Sequence, residues 1–161
     1  MIADTLLIEA DALLAACRAQ GIRLASVESC TGGLIAAALT AIAGASEVFD
    51  RGFVTYSNQA KHDLAGVPLS LIATHGAVSE AVARSMADGG LARSRAAIVI
   101  AVTGVTGPGG GSADKPVGTV CFGLARTGRA TISERRVLTG DRAAIRAAAV
   151  AHAFAMIRGC L

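Results

Sequence analysis

The sequence predicts an α/β fold: a single three-layer α/β/α domain with a mixed β-sheet, spanning residues 1–161. Three observations predict it. Short β-rich runs alternate with longer segments of helical spacing, the pattern of a sheet covered by helices on both faces. Ala96 to Val102 is an unbroken apolar run, as in a strand buried on both faces. Val117 to Ala125 and Ala130 to Leu138 flank a Thr127-Gly128 turn, which reads as a hairpin and brings an antiparallel pair into the sheet.

Taken in order, Leu6, Leu7, Ala10, Leu13, Leu14 and Cys17 recur at helical spacing, so Asp4 to Gln20 reads as a helix stopped by Gly21. Ile22 to Val27 reads as a strand and Leu34 to Ala43 as a helix ending at Gly44. Phe53 to Tyr56 carries the β-branched and aromatic residues of a short strand. Ser57 or Asn58 caps a short helix holding Lys61, and Gly66-Val67-Pro68 breaks it. Pro68 opens another short helix through Ile72. His75-Gly76 is a turn, and Ser79 caps a helix of about fourteen residues running past Met86. After the Ala96 strand, Thr103 to Pro116 is too glycine-rich for regular structure. Past the hairpin, Asp141 caps a last helix with Ile145, Ala148, Ala149, His152 and Ile157 at helical intervals.

Composition narrows the function classes. Hydrophobic residues make up 53% of the chain and aromatics only 3%, which suits tightly packed helices better than a surface for stacking bases. The net charge of +3 comes from interspersed charges, too mild a balance for the concentrated basic patch that nucleic acid demands. A small anionic ligand fits it. Cys17, Cys30, Cys121 and Cys160 form no CxxC pair and no zinc-spaced cluster, as expected for buried thiols in a reducing compartment. Asp4, Glu9 and Asp11 interrupt the N-terminal apolar run, so no signal peptide is expected. No uncharged stretch is long enough to span a bilayer. The expectation is a cytoplasmic protein with no nucleic-acid or membrane partner.

Three stretches carry candidate chemistry, each at a strand end, where open α/β sheets bind ligands. Glu28-Ser29-Cys30-Thr31-Gly32-Gly33 sits at a strand-to-helix corner, where unpaired N–H groups and the helix dipole favour an anion or a developing oxyanion. The simpler reading of Ser29 or Thr31 is a helix N-cap. The second stretch runs from Gly52 to Lys61. The third, Thr103 to Gly111, leads into Lys115-Pro116-Val117-Gly118-Thr119-Val120. Its small residues expose N–H groups able to cradle a phosphate, although a plain surface loop has the same composition. Arg142, at a helix start, has the chemistry to pair with that phosphate bidentately; alternatively it is a surface charge.

These stretches resemble the CinA C-terminal domain family, whose stand-alone members, of the PncC type, are nicotinamide mononucleotide amidohydrolases. The similarity covers essentially the whole chain. It includes Glu28 to Gly33, Thr55-Tyr56-Ser57-Asn58 with Lys61, His75-Gly76-Ala77-Val78-Ser79-Glu80, Lys115 to Val120 and Gly140-Asp141-Arg142. The family's glycine loop usually has Ala where this chain has Thr106. Longer members carry an additional N-terminal domain, which this sequence is expected to lack. The resemblance implies a Ser/Lys/Tyr amidase with Ser29, Lys61 and Tyr56 at the matching positions.

The residue chemistry agrees. Amide hydrolysis needs an activated nucleophile, a proton for departing ammonia and a home for the oxyanion. No His lies in the candidate loops, so lysine is the available base, as in Ser–Lys variants of the triad. An ordinary lysine has a pKa of about 10.4; poising it near about 7.5 costs about 4 kcal/mol, within reach of burial. By residue type alone Lys61 is a solvated helix lysine and Tyr56 a packed tyrosine with a wet hydroxyl. In the amidase reading Tyr56 relays a proton between Lys61 and Ser29 or orients Lys61, and the N–H groups of Cys30 and Thr31 hold the oxyanion. Cys30 is the rival nucleophile, since a helix N-terminus lowers a thiol pKa. His75 and Ser79 read as a turn residue and a cap, and His62 and His152 as structural.

The expected catalytic set is therefore Ser29, Tyr56 and Lys61. The expected substrate-binding set is Cys30, Thr31, Gly32, Gly33, Thr103, Gly104, Thr106, Gly107, Gly109, Gly110 and Arg142. No metal and no cofactor is implied. The expected partner is a small molecule, nicotinamide mononucleotide, deamidated to nicotinic acid mononucleotide and ammonia in pyridine nucleotide recycling, and a homo-oligomer is compatible with the sequence. The alternative is a non-catalytic nucleotide-binding or sensing module of the competence/damage-inducible CinA type.

Overall fold

The computed structural model describes residues 2–161; Met1 lies outside it. Five strands form one sheet: β1 (Leu24–Glu28), β2 (Phe49–Val54), β3 (Ile98–Gly104), β4 (Thr119–Arg126) and β5 (Ile132–Val137). Their order is β2-β1-β3-β4-β5. β2, β1 and β3 run parallel; β4 and β5 pair antiparallel, giving the mixed sheet that the hairpin signal predicts. The helices are α1 (Asp4–Ala19), α2 (Leu34–Thr40), α3 (Asn58–Ala65), α4 (Leu69–His75), α5 (Glu80–Ala92) and α6 (Arg142–Gly159). Among the described residues, no helix is long and apolar enough to cross a membrane.

The period-2 alternation of β3 divides the core. Ile98, Ile100 and Val102 face one layer, where Leu13 and Leu14 of α1, Ile35 of α2 and Phe154 of α6 pack. Val99 and Ala101 face the other, against Ala65 at the end of α3 and Val82 and Met86 of α5. The second layer uses small residues, so α5 lies very close to its neighbours. A Cβ on Gly89 would stand 1.6 Å from the Ala65 carbonyl oxygen, and one on Gly123 of β4 would stand 2.2 Å from that of Ala83. Backbone therefore packs on backbone where α3 meets α5, which fixes the helix that carries Lys61.

Several boundaries differ from expectation, among them α4, which runs to His75 rather than Ile72. The second strand spans Phe49–Val54 rather than Phe53 to Tyr56, because its partner β1 ends at Glu28, opposite Val54. Tyr56 thus lies beyond the sheet. The helix expected to reach Ala43 ends at Thr40, and a 3₁₀ turn at Ala45–Glu47 follows. Asp141, Ser79 and Ser57 each cap their helices: their side chains accept from the N–H of Ala144, Val82 and Ala60.

Candidate active site

The three parallel strands end on one side of the sheet, and a cleft of about 320 Å³ opens there. Ser29 and Cys30 follow β1, Tyr56, Asn58 and Lys61 follow β2, Thr103 and Gly104 end β3 and Val105 to Gly110 follow it; Arg142 enters from the start of α6.

Lys61 is the centre of the arrangement. Ser57 starts α3 through its hydroxyl, 3.0 Å from the Ala60 nitrogen, and Gly66 ends it in the left-handed region. Lys61 falls on the inward face and is 1% exposed. Its Nζ donates to Ser29 Oγ at 2.9 Å and to the Thr55 carbonyl at 3.0 Å. Both anchors are fixed by backbone: the Ser29 N–H donates to Val102 at 2.9 Å and the Thr55 N–H to Glu28 at 2.7 Å. Burial lowers the Lys61 pKa, with Cys30 pulling weakly the other way. A buried amine without a paired carboxylate disfavours its charged form. The geometry thus sets a proton acceptor against a serine hydroxyl.

Tyr56 sits differently from expectation. It is exposed, and its hydroxyl accepts a hydrogen bond from Arg142 Nη2 at 3.0 Å. It bonds neither Lys61 nor Ser29, because the chain leaves the sheet at Thr55 and carries the ring to the rim. Arg142 Nη1 also donates to Thr106 Oγ1 at 2.7 Å and to the Gly107 carbonyl at 3.0 Å. The guanidinium therefore clasps the glycine loop to Tyr56. Thr106 supplies one of those acceptors. The phenol oxygen accepts from an arginine, which has no other role open to it, so its own proton is free to be donated.

The Ser29 corner departs from the helix-terminus expectation. Neither Ser29 nor Thr31 caps α2; Gly33, at φ 91°, precedes it. The carboxylate of Glu28 reaches forward instead, accepting from the N–H of Ile35 at 3.0 Å and of Ala36 at 2.9 Å. Ser26 Oγ donates to the same carboxylate at 3.0 Å, and Glu28 is fully buried. The anion served by this helix is therefore Glu28, and no donor of α2 remains for an oxyanion. Thr31, Gly32 and Gly33 likewise leave the cleft: the positive φ values of Gly32 and Gly33 turn the chain into α2, Thr31 is buried, and Arg146 donates to the Thr31 carbonyl at 2.6 Å. The Cys30 and Thr31 N–H groups have no acceptor among the described residues, but of the two only Cys30 lines the cleft.

Cys30 is a poor rival to Ser29. Burial pushes its thiol up to about 12, its own backbone N–H lowering it and Glu28 raising it further. The helix-dipole argument for a reactive thiol fails because Glu28 occupies the helix end. Cys30, Thr103, Gly104, Thr106, Gly107, Gly109, Gly110 and Arg142 all line the cleft, as their positions predict. Residue-type reasoning missed Glu28 as a cap, read Asn58 only as a possible helix cap, and assigned nothing to Ala77, Val78 or Val105; Asn58 and these three also line the cleft. Asn58 stood in a motif already singled out; Ala77 and Val78 carry no polar signal.

A sequence model of the CinA C-terminal domain matches residues 8–161. The chain belongs to the CinA C-terminal domain family. Among relatives, it is 52% identical over 132 residues to the nicotinamide-nucleotide amidohydrolase PncC of Enterobacter agglomerans, covering 82% of this chain and 80% of that protein. It is 48% identical over 138 residues to the PncC of Escherichia coli K12, covering 86% and 84%. It spans only about a third of longer CinA relatives, such as the CinA-like protein of Syntrophobacter fumaroxidans, 46% identical with 33% of its length covered. The crystal structure of the competence/damage inducible protein CihA from Agrobacterium tumefaciens superposes with a TM-score of 0.95 at 44% identity, over 99% of this chain and 97% of that one. The α/β fold with its mixed sheet is thus the CinA fold.

Proposed function

We propose that this CinA domain is a nicotinamide-nucleotide amidohydrolase, releasing ammonia from nicotinamide mononucleotide and leaving nicotinic acid mononucleotide. The observation that carries the reading is the buried Lys61 amine 2.9 Å from Ser29 Oγ. The PncC relatives at about half identity support the same reaction class. The four cysteines are free thiols, which suits a cytoplasmic enzyme. A single domain performs the reaction, without metal or cofactor.

In this mechanism neutral Lys61 takes the Ser29 proton as Oγ attacks the carboxamide carbon. The oxyanion forms against the free N–H of Cys30. The C–N bond breaks as the nitrogen gains a proton, from the Lys61 ammonium or from the Tyr56 hydroxyl that Arg142 orients, in which case the Lys61 proton restores the phenol; on either route Lys61 ends neutral. Ammonia leaves and an acyl-serine ester remains. Lys61 then deprotonates water, which resolves the ester to the acid. The N–H groups of Gly107, Gly109 and Gly110, with Arg142, hold the substrate phosphate.

The test is incubation of the purified protein with nicotinamide mononucleotide, following ammonia and product mass. A gain of about one mass unit together with ammonia supports the enzyme. Ligand bound tightly yet recovered unchanged after long incubation at high protein concentration would instead establish a sensing module.

A further inference from the structure

We propose that Asn58 determines specificity in this site by reading the carboxamide of the substrate and rejecting the carboxylate of the product; this rests on the amidohydrolase reading above. Each of the cleft's other hydroxyl and charged side chains already has a hydrogen-bond partner in the protein. Ser29 and Lys61 bond each other, Thr103 Oγ1 donates to the Ala77 carbonyl, and Thr106 and Tyr56 accept from Arg142. Of the hydroxyl, charged and amide side chains that line the cleft, only that of Asn58 has no hydrogen-bond partner among the described residues. A carboxamide left unpaired in a ligand cleft is a group free to pair with the ligand.

Its position selects which part of the ligand. Asn58 begins α3, three residues before Lys61. Residues so spaced share a helix face, with Cβ atoms about 5–6 Å apart. The carbon that Ser29 attacks must stand about 3–3.5 Å from Oγ in a productive pose. The amide nitrogen and oxygen on that carbon therefore lie near the turn that holds Asn58 and Lys61.

The chemistry decides the rest. Asn58 offers an acceptor at Oδ1 and donors at Nδ2, and the substrate carboxamide offers the same pair in reverse. An ionised product carboxylate offers acceptors only. Asn58 Oδ1, accepting from the substrate N–H, faces a second acceptor once ammonia has gone. Lys61 cannot provide this discrimination, because its cationic form attracts the carboxylate. Asn58 thus favours the amide over the acid and opposes product retention.

The experiment measures equilibrium binding of nicotinamide mononucleotide and nicotinic acid mononucleotide by calorimetry. It uses the Ser29→Ala protein, which holds the amide without turnover, and the same protein carrying Asn58→Ala. Asn58 is exposed and unpaired, so its removal leaves the fold intact, which circular dichroism verifies. The amide Kd is expected to rise about tenfold on losing the hydrogen bond, while the acid Kd stays within about twofold. Asn58→Asp, acceptor-only, should keep part of the amide affinity and reject the acid further. Equal shifts for both nucleotides, no shift for either, or no binding of either nucleotide overturns the assignment. If wild-type protein releases no ammonia but the affinity ratio collapses, the amidohydrolase reading fails alone. If ammonia is released and the ratio is unmoved, the Asn58 inference fails alone.

Discussion

Lys61 Nζ and Ser29 Oγ stand 2.9 Å apart although 32 positions separate them in the chain, and the amine lies buried where its charged form is disfavoured. The Lys61 pKa is lowered, so the neutral, proton-accepting form appears at lower pH than for an ordinary lysine. Activity in kcat/KM should therefore rise with pH through that lowered value and then level. Because a substrate phosphate titrates near about pH 6, the rise should be checked with the nucleoside. Lys61→Arg keeps a cation but cannot give up its proton, so kcat should fall by about 10² to 10⁴. Near-wild-type kcat in that variant would make Lys61 a phosphate ligand instead.

The same burial has a stability consequence. Unfolded Lys61 stays protonated up to about pH 10.4, while folded Lys61 gives up its proton earlier. Between the two values the unfolded state binds more protons, so Lys61's contribution to stability increases with pH. Chemical denaturation of wild type against Lys61→Met should show the difference moving toward wild type as pH rises. A difference that is flat, or moves toward Lys61→Met, contradicts the depressed amine.

Nucleophile identity is tested by paired alanines. Ser29→Ala should lower the single-turnover rate by about 10³-fold or more, while Cys30→Ala retains most of it. With its thiol pushed up to about 12, Cys30 should also resist alkylation at pH 8. Activity that survives Ser29→Ala and vanishes in Cys30→Ala would reverse the assignment.

Arg142 joins Tyr56 to the glycine loop and also serves the phosphate in the proposed complex. Arg142→Ala should raise KM for the nucleotide about tenfold to a hundredfold, and affect the nucleoside much less. A kcat loss shared by nucleotide and nucleoside would locate its main effect in holding Tyr56.

Two further substitutions probe the scaffold. Glu28→Ala strands the Ile35 and Ala36 N–H groups in a buried site, at a cost of about 2–4 kcal/mol in the denaturant midpoint with unchanged slope. Gly89→Ala, which at an ordinary helix position stabilises by about 1 kcal/mol, should here destabilise by about 1–3 kcal/mol, since its Cβ would meet the Ala65 carbonyl. A higher Tm for Gly89→Ala would show that α3 and α5 can part without loss.

Elements whose causes are local were legible in the order of residues. An unbroken apolar run placed β3 with both faces buried, Thr127-Gly128 placed the hairpin, and Ser57, Ser79 and Asp141 marked helix starts through their own side chains. The sequence also placed the Ser29 corner, the Gly52 to Lys61 stretch and the glycine loop at strand ends, and the resemblance to the CinA family singled out Ser29, Tyr56 and Lys61 among them. Only tertiary structure decided what each group faces. Glu28 caps α2 through a carboxylate reaching forward seven and eight residues, which no capping pattern of three residues anticipates. Lys61 is a buried amine rather than a solvated helix lysine because α3 docks backbone-to-backbone on α5. Tyr56 pairs with Arg142, 86 positions away, because β2 ends at Val54 and α6 begins beside the same cleft. Burial and charge partnership are sums over long-range neighbours, and the order of residues along the chain does not contain their distances.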